Sequence, residues 1–233
     1  MRARRFTTTA RKHIFRCAVL GGLLFTGLTT SAMFVYPGGT RDDPTLDRYL
    51  FSRNFFSDLG RTVDFEGNTN IPSMLLFGSG LTIVGCTTAC LFCALPDLFR
   101  EDRMSKFISF LMMCFGLVAG IGFVGIACTP WDRFFSQHDF CVTIGFRSLL
   151  LACIAVMINI YRARSFPNLY GHLMVAVSVI LLSYILLLTF GPSPLEPQGL
   201  MIQVAGQKVV AYVLIAGITC LSIGAAKVDA VDE

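Results

Sequence analysis

Apolar residues run in six unbroken blocks along the chain, at roughly 15–36, 71–95, 107–128, 141–161, 170–190 and 206–226. A helix advances about 1.5 Å per residue, so about 20 residues cross a hydrocarbon core about 30 Å thick. The blocks show no period-two alternation, which sets them apart from the strands of a membrane barrel. Turn formers separate them: Pro37-Gly38-Gly39, Pro96-Asp97, Thr129-Pro130, Phe166-Pro167-Asn168 and Gly191-Pro192-Ser193-Pro194. The pattern predicts an all-α fold, a polytopic bundle of six transmembrane helices forming one integral membrane domain over 1–233.

The segment 37–70 between the first two blocks is too long for a plain connector. Asp43-Pro44 has the form of a helix start, with Asp as N-cap and Pro at the first helical position. Gly60 suits a helix stop. Between them Leu46, Tyr49, Leu50, Phe55, Phe56 and Leu59 form an apolar stripe. The spacing predicts an amphipathic helix over 44–59, lying on the membrane surface after the first span.

Composition narrows the class. The 233 residues are 54% hydrophobic and 15% charged, where soluble chains are about one-quarter charged. This excludes a disordered chain and a nucleic-acid partner, and argues against an ordinary cytosolic enzyme. Twelve of the nineteen Lys and Arg residues fall in the N-terminal tail, the second and fourth connections and the C-terminal tail, against six on the opposite side. The positive-inside bias therefore puts both termini in the cytoplasm and 37–70 outside, in a multi-pass protein of the cell (inner or plasma) membrane. A basic start before an apolar run also fits a secretory signal peptide. The run is long for one and no Ala-x-Ala follows, so it reads as an uncleaved first span.

The nine cysteines lie within or at the ends of apolar blocks. Cys86, Cys90 and Cys93 share a helix face and read as small packing residues in preference to a soft-metal site. Cys128 and Cys141 flank the third connection, where a disulfide would need Cα atoms within about 7 Å. Of the three histidines, His13 and His172 fall on the inner side and His138 outside. A three-histidine zinc site is thereby excluded, and no metal or other cofactor is expected.

Candidate chemistry gathers at the outer side. Asn54, Asp58 and Arg61 fall at i, i+4, i+7, with Ser57 beside them. The third connection adds Asp132 and His138 around the only tryptophan, Trp131. Asp139, Thr143 and Arg147 then align along the fourth block. A charge at the depth of Arg147 is costly unless paired or hydrated, so it is expected to face the bundle interior, as an ion-pair partner of Asp58, Asp132 or Asp139 or as an anion-holding group. Gln203, Gln207 and Lys208 stand at the outer end of the sixth block, where they could add a further wall to the site; snorkelling of Lys208 toward phosphate head groups is the simpler reading.

The run Asn54-Phe55-Phe56-Ser57-Asp58-Leu59-Gly60 resembles the Asn-x-x-Ser-Asp/Glu-Leu-Gly signature of a family of uncharacterised six-helix prokaryotic membrane proteins, a domain of unknown function. Pro130, Asp132 and His138 are similar to that family's Pro-x-Asp…His pattern. More remotely, six helices with an outer His at the start of the fourth are similar to the eukaryotic DRAM/Sfk-type membrane proteins, which are linked to lipid handling. The resemblance implies a shared outward-facing polar site built from Ser57, Asp58, Asp132 and His138.

The expected site comprises Asn54, Ser57, Asp58, Arg61, Asp132, His138, Asp139 and Arg147. The function expected of it is binding of a lipid head group or another small anionic or zwitterionic group, with membrane lipids as partners. Ser57, Asp58, Asp132 and His138 also contain the parts of a nucleophile and an acid/base pair, so a membrane-embedded lipid hydrolase or transferase is the alternative. No nucleophile elbow or phosphate loop is present. A non-catalytic subunit of a membrane complex, or a homo-oligomer, is the third reading.

Overall fold

A computed structural model describes residues 6–163 and 165–231. Its six long helices are α1 (Thr8–Val35), α2 (Ile71–Ala94), α3 (Arg103–Cys128), α4 (Phe135–Arg162), α5 (Asn168–Phe190) and α6 (Pro197–Val231). Each is long and apolar enough to cross a membrane, which makes this a multi-pass integral membrane protein. The helices extend beyond the apolar blocks because polar turns cap them. Thr7 Oγ1 accepts the Ala10 N–H at the start of α1, and Asp102 accepts the Ser105 N–H at the start of α3.

Each helix packs on its chain neighbours, and α1 packs on α6, so the six close into a ring. Small residues bring the backbones together. A Cβ on Gly120 would lie 2.6 Å from the Gly85 carbonyl oxygen, and one on Gly122 would lie 2.7 Å from the Gly145 Cα. Bulk at these positions would part α3 from α2 and α4, which is how small residues serve as membrane-helix contacts.

The seam between α1 and α6 is clamped at the end that carries the chain termini. Arg11, fully buried, donates to Asp229 Oδ1 through Nε at 2.8 Å and Nη2 at 2.6 Å. Its Nη1 donates to the Phe6 carbonyl at 2.8 Å and lies 3.7 Å from Asp97 Oδ2. Asp97, on the short 3-10 turn Leu95–Leu98 that ends α2, also accepts the Phe6 N–H and pairs with Arg100. One guanidinium thus ties α1, α2 and α6 together.

The other end, called the outer end after its sequence assignment, is covered by 37–70. The predicted amphipathic helix over 44–59 does not form: only Phe56–Gly60 is helical, as a single 3-10 turn. Gly38 (φ 143°) and Gly39 (φ 77°) reverse the chain so that the Gly39 N–H reaches the Leu46 carbonyl. A Cβ on Gly38 would lie 2.1 Å from that same oxygen. Side chains capture the backbone groups that a helix would need. Asp43, expected as an N-cap, accepts the Thr45 N–H in a tight turn, and Asn54 Oδ1 accepts the Leu50 N–H. The apolar residues Phe56 and Leu59 plug the ring and are buried, instead of lying on a membrane surface.

Candidate functional site

Inside the ring and beneath this lid lies a partly open chamber of about 110 Å³, walled by α1, α2, α3, α4, α6 and the lid. Its walls include Phe25, Phe77, Leu81, Phe123, Leu149 and Ile218. Apart from threonine hydroxyls, the polar side chains that line it are Ser57, His138 and Gln207, all at the outer end. From Gln207 to Ile218 along α6, and from His138 to Leu149 along α4, the wall runs about 16 Å at about 1.5 Å per residue. That is about half the hydrocarbon thickness, the depth of one leaflet.

The three polar residues at its outer end are held differently. Gln207 Oε1 accepts the Phe56 N–H at 2.7 Å, fastening the lid to α6. His138 Nδ1 lies 2.7 Å from the Thr129 carbonyl oxygen. A carbonyl only accepts, so Nδ1 carries the proton and Nε2 of the neutral ring is an acceptor. Ser57 Oγ makes no hydrogen bond among the described residues and is available to a ligand.

The other expected site residues are spent on the lid. Asp58 is buried and accepts the Phe55 N–H at 2.8 Å and the Asn54 amide at 3.3 Å, while its Oδ1 has no partner. Asn54 also donates to the Gly39 carbonyl at 2.8 Å. Arg61 lies between the rings of Phe65 and Trp131, 4.1 and 4.5 Å from their centres, and donates to the Val63 carbonyl. Asp132 accepts the Thr62 N–H and hydroxyl, joining the third connection to the lid. Trp131 is therefore a stacking partner of Arg61 within the protein.

Two expectations are corrected outright. Arg147 does not face the interior: it is exposed on the outer surface of α4, far from any pairing with Asp58 or Asp132, and Asp139 is exposed as well. Lys208 does not snorkel. It is 3% exposed, donates to the Asn54 carbonyl, and its ammonium lies 4.8–5.5 Å from the ring centres of Phe51, Phe56 and Tyr49. Cys86 and Cys90 face outward from α2, and Cys128 and Cys141 are free thiols. The sequence reading set Ser57, His138 and Gln207 on the outer side, and all three line this one pocket. It missed the Arg11–Asp97–Asp229 cluster, whose signal was a carboxylate set flush with the inner end of each of two apolar blocks.

Burial raises the Asp58 carboxyl above its ordinary value of 3.8, outweighing the hydrogen bonds from Phe55 and Asn54 and the pull of Arg61 and Arg41. A raised folded pKa contributes stability that is fully present below the unfolded value and is lost as pH rises through the folded one. The lid is therefore expected to loosen as pH rises above the ordinary carboxylate range. Amide exchange in 37–70, followed across pH, should speed up beyond its intrinsic rate on going alkaline, and Asp58→Asn should flatten that slope. A lid that opens on acidification contradicts this assignment.

No protein-family model, curated protein or solved structure matches the chain.

Proposed function

We propose that this membrane protein binds an amphiphile in the chamber, with the apolar chain between the helices and the head group at Ser57, His138 and Gln207. A membrane lipid of the outer leaflet is the ligand this reading names, in the inner or plasma membrane of the cell. The observation that carries it is the segregation of the chamber: an apolar lining about one leaflet deep, with its hydrogen-bonding side chains other than threonine gathered at the outer end. Head-group recognition then rests on neutral donors and acceptors, and Arg147 has no part in it. In this reading the Asn-x-x-Ser-Asp-Leu-Gly run has a divided role. Asn54 and Asp58 shape the lid, and Ser57 is turned into the chamber.

The alternative of a lipid hydrolase or transferase retains one supporting observation, that Ser57 and His138 line the same chamber. Asp58 and Asp132 are engaged in the lid, so the group orienting His138 is the Thr129 carbonyl. That reading predicts turnover of an ester lipid that His138→Ala abolishes.

The test of binding is titration of the purified protein with cis-parinaric acid, a fluorescent single-chain amphiphile. Saturable binding at one site is expected, weakened about tenfold in Ser57→Ala/His138→Ala, since each lost hydrogen bond is worth about 0.5–1.5 kcal/mol. Non-saturable partitioning, or a double variant that binds like the wild type, overturns the proposal.

A further inference from the structure

Arg147 stands twelve residues from the outer end of α4 and fifteen from the inner end. At about 1.5 Å per residue α4 is about 42 Å long, more than an about 30 Å core, and its apolar block starts near 141, so Arg147 lies about 9 Å inside the outer edge of the hydrocarbon, toward its middle. It is exposed, and its neighbours along the same stripe at i−7, i−3 and i+4 are the exposed Phe140, Ile144 and Leu151. Among the described residues Arg147 makes no hydrogen bond or ion pair. At that depth an arginine side chain does not meet lipid phosphates without drawing the interface inward, so the bilayer deforms or the charge stays costly.

A second copy of this chain does not supply the missing charge. Among the described residues, the carboxylates within or directly flanking the six spanning helices are Asp97, Asp102, Asp139, Glu196 and Asp229, each at a helix end. Copies related by rotation about the membrane normal keep every residue at its own depth, so an α4–α4 contact would set Arg147 against Arg147. We infer that the Phe140–Leu151 face of α4 docks a transmembrane helix of a different protein, one that carries an Asp or Glu inside the hydrocarbon core. The inference goes beyond the chamber and does not depend on it, because Arg147 lies on the opposite side of the ring wall. The partner carboxylate would meet the guanidinium in hydrocarbon, where both are costly alone and the pair satisfies both.

The probe is a polyleucine helix of about 20 residues with one central Asp, reconstituted with the full-length protein in phosphatidylcholine vesicles. Association is read by energy transfer between labelled peptide and protein. The central-Asp peptide should bind about tenfold more tightly than the all-Leu peptide or one with Asp at its end, within the range measured for polar contacts between membrane helices. Arg147→Leu and Arg147→Gln should lower that preference, Arg147→Leu removing it. Equal binding of the three peptides overturns the inference, as does a preference that survives Arg147→Leu. So does Arg147-dependent retention of phosphatidylglycerol without any preference for the Asp peptide. The isolated Arg147→Leu protein should melt no lower than the wild type; a large drop would mean that Arg147 is bonded within its own chain, and would equally overturn it.

Discussion

Arg11→Ala should lower the stability of the purified protein by about 3–5 kcal/mol, because it strands the Asp229 carboxylate among buried groups. Arg11 and Asp229 are both 0% exposed, and their contact spans 218 positions of the sequence. The same change strips the Phe6 carbonyl of its donor and removes the guanidinium beside Asp97. For a chain of this size the loss corresponds to a fall in melting temperature of roughly 6–20 °C. Arg11→Ala/Asp229→Ala should regain a large part of it, since no charge of the pair is then left alone. Thermal melting in detergent decides the matter. A single variant that melts with the wild type, or a double variant whose loss is the sum of the two singles, would show that the clamp does not hold the ring shut.

The six spans were legible in the sequence because hydrocarbon thickness acts on every block independently and needs no knowledge of neighbours. Their arrangement was not. In a membrane both the lipid-facing and the helix-facing sides of a span are apolar, so periodicity does not reveal which way a residue points. Arg147 shows the consequence: its depth was readable and its direction was not, and the premise that a charge turns inward failed. The Arg11–Asp229 contact was invisible for a related reason, since ring closure joins the first helix to the last.

The lid failed differently. Leu46, Tyr49, Leu50 and Phe56 have helical spacing, but Thr40, Asp43 and Asn54 offer the backbone competing hydrogen bonds, and Gly38 and Gly39 fold the chain back on itself. Ser57 and His138 were found for a simpler reason. Chain position put Ser57 in the outer segment 37–70 and His138 at the outer end of a span, and the lid lies over the end of the ring where both fall. The chamber itself left no trace, because lining residues such as Phe25 and Leu149 look like any other apolar residue of a span.

Ala211→Trp should empty the chamber of its ligand while leaving the fold intact. Ala211 is a half-buried wall residue on α6, four positions below Gln207, and an indole there occupies the space beneath the polar residues at the outer end. An overpacked core resists such a change, at about 1–3 kcal/mol, but this chamber has room to take the ring, which buries about 150–250 Å² of its own surface. Stability and ligand retention should therefore part company. The measurement that decides is native mass spectrometry of the protein released from gently purified detergent complexes, comparing wild type with Ala211→Trp at matched melting temperature. The wild type should retain one lipid per chain, and Ala211→Trp should lose it at least about tenfold, a shift of about 1.4 kcal/mol or more. A folded Ala211→Trp protein that keeps its lipid as the wild type does would contradict the chamber as the binding site.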